Sequence, residues 1–309
     1  MTPTMLIPTA LTACLLPGLA AGAILKPTTG HATIRGVDYY YEVHGKGEPL
    51  LLLHGGNLSI DSLAPSMPTF TKDRQVILVD LQGHGRTTLG NRPLRCEAIA
   101  DDLATLLGQL GRTQVDVLGF SFGGCVALRL AVQHPDRVRR LALVCTVFAD
   151  DGWYPEMRVQ QKQIGAAMAP LMAETPIYKT YKAVAPKPED FPRLLDALGD
   201  YMRQTYDWSG DVAKLRMPVM LIYGDADMIR PEHQVKFYQL LGGGLKDAGW
   251  NRENMSRNRL AILPDLTHYE AAGAPRVAEA ALPFLNGQYR GGKNAPEPAN
   301  TAKTEALKK

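Results

Sequence analysis

Six short, almost wholly apolar runs, at residues 50–53, 76–79, 115–118, 141–144, 219–223 and 260–263, with Asp116 their one charged residue, lack the sustained polar–apolar alternation of a strand with one wet face. Unalternating runs of this length fit strands buried on both faces, as in a parallel sheet. Helix-like stretches lie between them, most clearly at 96–110, 121–134, 231–241 and 271–285. Strand and helix in repeated alternation predict an open, mostly parallel α/β sheet with helices on both faces. Ahead of the first run, 33–35 and 37–43 flank Gly36 and read as a β-hairpin.

Two intervals interrupt the rhythm. Residues 148–217 hold no good buried strand but at least two helical stretches, around 156–173 and 190–204, and are read as an inserted helical cap. The core is then 31–147 together with 218–287. The Gly-, Asn- and Arg-rich stretch 242–258 is too long for a plain connection, and is expected at the end of the sheet away from the cap, with subunit contact as a conceivable role. The polar, Pro- and Gly-containing stretch 288–309 reads as a disordered tail.

Residues 1–30 read as a leader: the first 25 carry no charge, and 5–23 are apolar, broken by Pro8, Pro17 and Gly18, and end in Ala21-Gly22-Ala23. That favours export to a periplasm or medium. No Lys or Arg precedes the apolar stretch, however, so a cytoplasmic extension stays open, and Leu11-Thr12-Ala13-Cys14 leaves a lipid anchor open too. Two prolines in so short a run argue against a stable membrane span. The net charge of +3 arises wholly from residues 290–309, the rest being neutral, so nothing marks a phosphate-tracking groove and no nucleic-acid partner is expected. Four scattered cysteines suit neither a disulfide framework nor a zinc site; Cys96, Cys125 and Cys145 read as buried thiols.

The chemistry-bearing motif is Gly119-Phe120-Ser121-Phe122-Gly123, directly after the 115–118 run and at the head of a helix. A serine on so sharp a strand-to-helix turn needs small residues two positions either side, which Gly119 and Gly123 provide. The helix N-terminus then aims positive charge at any oxyanion formed beside Ser121. On these residues the chain resembles an α/β-hydrolase-fold serine hydrolase, esterase- or lactonase-like, over about residues 33–286. Leu53-His54-Gly55-Gly56-Asn57 is similar to that family's oxyanion loop. The resemblance implies that the backbone N–H groups of Gly56 and Phe122 hold the oxyanion and that His54 braces the loop. Asn57 stands where some esterases have a third glycine, and is a candidate substrate contact. Asp80-Leu81-Gln82-Gly83-His84-Gly85-Arg86 resembles an architectural turn of the family.

A serine hydroxyl needs a base, and the base an orienting carboxylate, in the chain order Ser, acid, His. Of seven histidines, His268 alone follows the last apolar run and precedes the last helix, where the family carries its base. Tyr223-Gly224-Asp225-Ala226-Asp227 resembles the acid motif and matches Asp227; Asp225, Asp150 and Asp151 are alternatives. Haloalkane dehalogenases and epoxide hydrolases of this fold use an Asp nucleophile, against which Ser121 argues.

The insertion holds 5 of 12 Tyr, 5 of 11 Met and 2 of 3 Trp. Such side chains suit an adaptable apolar pocket, so Trp153, Met172, Tyr178, Tyr181 and Met202 are candidate substrate contacts; equally, they could glue the cap to the body. The leading expectation is a hydrolase of carboxylic esters or lactones with no cofactor or metal. Two alternatives keep the fold: a cofactor-free haloperoxidase, perhydrolase or carbon–carbon bond hydrolase with the same triad, and a non-catalytic binding module. Substrate identity and oligomeric state are not read from the sequence.

Overall fold

The computed structural model describes residues 26–289 and 291; the expected leader up to residue 25, and the expected tail apart from Gln288, Tyr289 and Gly291, lie outside them. Eight strands form one sheet in the order β1-β2-β4-β3-β5-β6-β7-β8. β1 (Thr28–Ile34) and β2 (Val37–Gly45) are the expected hairpin, turned through Arg35 and Gly36, both at positive φ (46° and 81°), as a two-residue hairpin turn requires. The pairing runs back to Thr28 against Val43, so residues 28–30, which the sequence reading put ahead of the core, belong to the sheet. The backbone continues the ladder's register there, and Gly30 lies against the Tyr41 ring.

β2 pairs antiparallel with β4 (Arg74–Val79); β3 (Glu48–Leu53), β4, β5 (Val115–Phe120), β6 (Val138–Val144), β7 (Val219–Ala226) and β8 (Arg259–Thr267) run parallel. Five of the six apolar runs are buried at every residue, which needs cover on both faces. The sixth departs from expectation: β8 is the last strand of the sheet, and Ile262 is 48% exposed. An edge strand has one neighbour, so an apolar run there is not fully enclosed. The helices Cys96–Gln109 and Phe122–Gln133 pack together, as do Met67–Thr71 and Pro275–Leu285. The 271–285 stretch is a 3-10 turn, Ala271–Gly273, and then a helix starting at Pro275.

From β3 the chain moves to β4 on one side and returns to β5 on the other, so strand order reverses beside β3. Open α/β sheets bind ligands at such a switch point, at the carboxyl ends of the strands. There Leu53 pairs with Gly119, bringing His54–Asn57 beside Ser121.

The insertion between β6 and β7 is helical, with Pro155–Lys162, Pro176–Val184 and Phe191–Met202 as its longer helices. The expected 156–173 helix is broken. Gly165 is fully extended, and the chain restarts as a turn, Ala166–Met168, and a short helix, Ala169–Met172. The break is packed tightly: a Cβ on Gly199 would collide with the Ile164 carbonyl, which accepts a hydrogen bond from Arg203 Nη1 at 3.0 Å. The 242–258 loop lies, as expected, at the far end of the sheet, where Asn258 Oδ1 accepts from Val219 N at 2.7 Å. Among the described residues, no helix is long and apolar enough to cross a membrane.

Candidate active site

Ser121 follows β5 at φ 53°, ψ −117°, outside the ordinary regions for an L-residue. Its neighbours make this tolerable. A Cβ on Gly119 would come within 2.8 Å of Gly124 Cα, and one on Gly123 would come within 2.8 Å of the Leu53 carbonyl, so only hydrogen fits at either position. Ser121 N donates to Val144 O at 2.9 Å, and Cys125 N to Ser121 O at 3.0 Å, opening the helix that begins at Phe122. The first amides of a helix lack intrahelical acceptors, so the Phe122 N–H is available to a ligand.

The His54–Asn57 loop sits against this turn: a Cβ on Gly56 would lie 3.8 Å from Phe122 Cβ, and one on Gly55 would lie 2.8 Å from the Phe120 ring. His54 is wholly buried; its Nδ1 donates to Gly55 O at 2.8 Å and its Nε2 accepts from Leu81 N at 3.0 Å. Those partners suit the neutral ring, and burial lowers its pKa to about 4. It braces the loop, as does Asp80, which accepts from Ile60 N and Arg86 N, both at 2.8 Å.

β7 and β8 diverge after Gly224 and meet again at Ala226 and Thr267, so Asp227 and His268 emerge side by side. His268 Nδ1 lies 2.8 Å from Asp227 Oδ1, and its Nε2 3.0 Å from Ser121 Oγ. Both residues of the pair are 7% exposed. Asp225 turns away; it accepts from Leu266 N at 3.3 Å, and the Asp265 and Leu266 amides hold its carboxyl below the usual range. Asp151 is exposed, and Asp150 pairs with Arg158. Of the four candidate carboxylates, only Asp227 is bonded to His268.

Cys145 lies under the pair, within 4.8 Å of both, making the only three-residue group among the described residues with metal-ligand spacing. A metal needs the thiolate, and burial together with the Asp227 carboxylate pushes the Cys145 thiol well up. Both His268 nitrogens are already engaged, Nδ1 with Asp227 Oδ1 at 2.8 Å and Nε2 with Ser121 Oγ at 3.0 Å.

The cavity over Ser121 measures about 20 Å³ and is lined in part by Trp153 and Met202, as expected. Trp153 stands edge-on to His268, ring centres 5.7 Å apart. The other cap candidates lie elsewhere. Tyr178 and Tyr181 pack on Phe191, and Tyr181 and Asn57 line a separate cavity of about 340 Å³. Met172 and Tyr178 line neither cavity and pack, half-buried, against the core. The break at Gly165 displaces this segment from the straight helix that the spacing suggested. Conversely, Arg158, Gln161, Tyr201 and Tyr206 line the Ser121 cavity and were missed. Tyr201 had a signal: with Phe191, Leu194 and Leu198 it continues the buried stripe of its helix. Arg158 had none.

A profile of the α/β-hydrolase fold matches residues 48–196. A protein of Azorhizobium caulinodans named as a carbamate hydrolase is 27% identical over 251 residues, 74% of this chain and 91% of that one. The 2-hydroxymuconate semialdehyde hydrolase of Pseudomonas sp. strain CF600 is 37% identical over 107 residues, covering 32% of this chain and 37% of that enzyme. Among solved structures, an esterase from Thermogutta terrifontis superposes with TM-score 0.65 at 21% identity, over 86% of this chain and all of the other. An enol-lactonase from Burkholderia xenovorans LB400 gives 0.61 at 19% identity, over 83% and 100%.

Proposed function

We propose that this chain, a hydrolase of the α/β-hydrolase fold, is a serine hydrolase that cleaves carboxylic esters or lactones through an acyl-enzyme. The observation that carries the reading is the unbroken chain from Asp227 through His268 to Ser121, with links of 2.8 and 3.0 Å. As Ser121 Oγ attacks the carbonyl, its proton passes to His268 Nε2, and Asp227 holds Nδ1–H and stabilises the imidazolium. The oxyanion forms beside the Gly56 and Phe122 amides, fixed donors that need no reorganisation. His268 then protonates the departing alcohol, or the alkoxide end of a lactone. Water attacks the acyl-enzyme by the same route, restoring Ser121.

The cavity of about 20 Å³ has room for roughly one water. The cap residues Trp153, Tyr201 and Met202 in its wall tie substrate size to the cap and leave bond cleavage to the strand ends. Carbon–carbon bond cleavage by the same residues is the second reading, favoured by the 37%-identical segment shared with the muconate semialdehyde hydrolase.

The test is fluorophosphonate labelling and turnover of an ester panel. Ser121→Ala should abolish labelling and lower turnover on the order of 10⁶-fold, and Asp227→Asn should cost about 10⁴-fold by analogy with other triads. Labelling that survives Ser121→Ala puts the nucleophile elsewhere. Labelling without turnover of any ester favours the carbon–carbon reading.

A further inference from the structure

The wall of the Ser121 cavity carries two hydrogen-bond donors whose capacity is only partly used. Arg158, on the Pro155–Lys162 helix, is about three-quarters buried, and one edge of its guanidinium is bonded through Nη2 to Asp150 Oδ2. A guanidinium offers five N–H donors in a fixed fork, and among the described residues the others have no partner. Tyr201, 5% exposed, reaches the same cavity from the Phe191–Met202 helix. Its hydroxyl is buried with no partner at ordinary hydrogen-bond geometry; the weakly bonding Cys96 and Cys125 thiols and the Tyr206 phenol stand around it. Burial pushes its ionisation well up, so it remains a donor.

Buried polar groups are normally satisfied, and an exception calls for a reason. A desolvated Asp–Arg pair adds little to stability, but it does hold the guanidinium in one orientation. Asp150 is itself anchored, its N–H donating to Tyr206 O at 3.0 Å. The result is a guanidinium clamped through one edge that shares with Tyr201 the wall of the cavity that contains Ser121. Planar, bidentate acceptors match such a fork, and a charged acceptor strengthens each bond.

We propose that the substrate carries a carboxylate near its scissile carbonyl, received by the open edge of Arg158 and the Tyr201 hydroxyl. The proposal rests on Ser121 being the nucleophile. Asp150 and the substrate carboxylate would occupy opposite edges of one guanidinium, with Asp150 fixing its aim before binding. The Gln161 amide, on the same cavity wall, adds a further donor.

The test compares kcat/KM for monoethyl succinate, ethyl succinamate and ethyl 4-methylpentanoate, which place a carboxylate, a neutral amide and a branched alkyl at one position. Acetoxyacetate and acetoxyacetamide move the same choice to the alcohol side. The wild-type protein should prefer a carboxylate ester over its uncharged partners by at least about tenfold. Arg158→Gln should collapse that ratio by about 10- to 100-fold, mainly through KM, as expected for a charge-assisted pair. Arg158→Lys should lose less, and Tyr201→Phe a smaller factor. Because the readout is a ratio within one variant, a partly unfolded preparation does not imitate it. No carboxylate preference in the wild type on either side, or an equal fall for all esters in Arg158→Gln, overturns the proposal while leaving the hydrolase reading intact. Failure of every ester together with failure of Ser121 to label removes both.

Discussion

Replacing Gly123 by Ala adds one carbon where the Ser121 turn meets the oxyanion loop. That Cβ would sit 2.8 Å from both the carbon and the oxygen of the Leu53 carbonyl, and closer still to His54 O, where ordinary contacts begin near 3.4 Å. These are backbone atoms at the end of β3, and no flexible side chain is there to yield. The loop and the turn must therefore separate by about 0.6 Å to relieve Leu53, and by about 1 Å to clear His54. Gly56 moves with the loop and Ser121 with the turn, so the change widens the one distance on which oxyanion stabilisation depends. A misplacement of about 1 Å costs roughly 100-fold in rate, and overpacking of this kind costs about 1–3 kcal/mol of stability. The melting temperature should drop by about 2–10 °C. Ester kcat/KM, fluorophosphonate labelling rate and thermal unfolding measured on one preparation check this. Gly210→Ala is the control, because a Cβ there meets nothing within 4 Å, and it should match the wild type. Gly123→Ala with kcat/KM within about threefold of the wild type and an unchanged melt would refute the account of the turn.

Acid should destabilise the fold through its buried histidines. Burial lowers His54 and His233 to about 4 and His84 to about 3, so between pH 6.5 and 4 the unfolded chain binds protons that the native ring refuses. Stability is full above pH 6.5 and is lost as pH falls towards 4. Asp80, raised to about 6 by burial, opposes this below pH 6. Three groups against one leave a net loss of about 2–3 kcal/mol per pH unit between pH 6 and 4, and a flat melting temperature across that range would contradict it. In the cap, Met202→Ala should change the ratio of short- to long-acyl ester turnover by up to about 10-fold. Tyr178→Ala, which removes a ring packed on Phe191, should lower the melting temperature and scale all esters alike; the opposite pattern would reverse their assignment.

What the sequence determined by itself was whatever a short stretch of chain settles alone. Runs such as 50–53 and 141–144 are apolar on both sides, so they dictated a covered parallel sheet. Gly119 and Gly123 admit a strained serine between them, and Asp227 and His268 follow strand ends that the sheet must bring together. The exclusion of His233 as the base has a reason visible only in three dimensions: its Nε2 accepts from Phe148 N at 3.2 Å and its ring stacks on Phe148. Tertiary structure alone decided that Thr28–Gly30 join the sheet and that β8 takes the edge, because pairing and cover come from distant segments. It also decided the contents of the cavity. Tyr178 and Arg158 lie on different cap helices, and between them the chain breaks at Gly165, where Ile164 approaches Gly199 closely. Tyr178, beyond the break, is set on Phe191, while Arg158, ahead of it, is held beside Asp150 in the wall of the Ser121 cavity. Helical spacing ranks the faces of one helix, whereas the angle between two helices is set by where their backbones can touch.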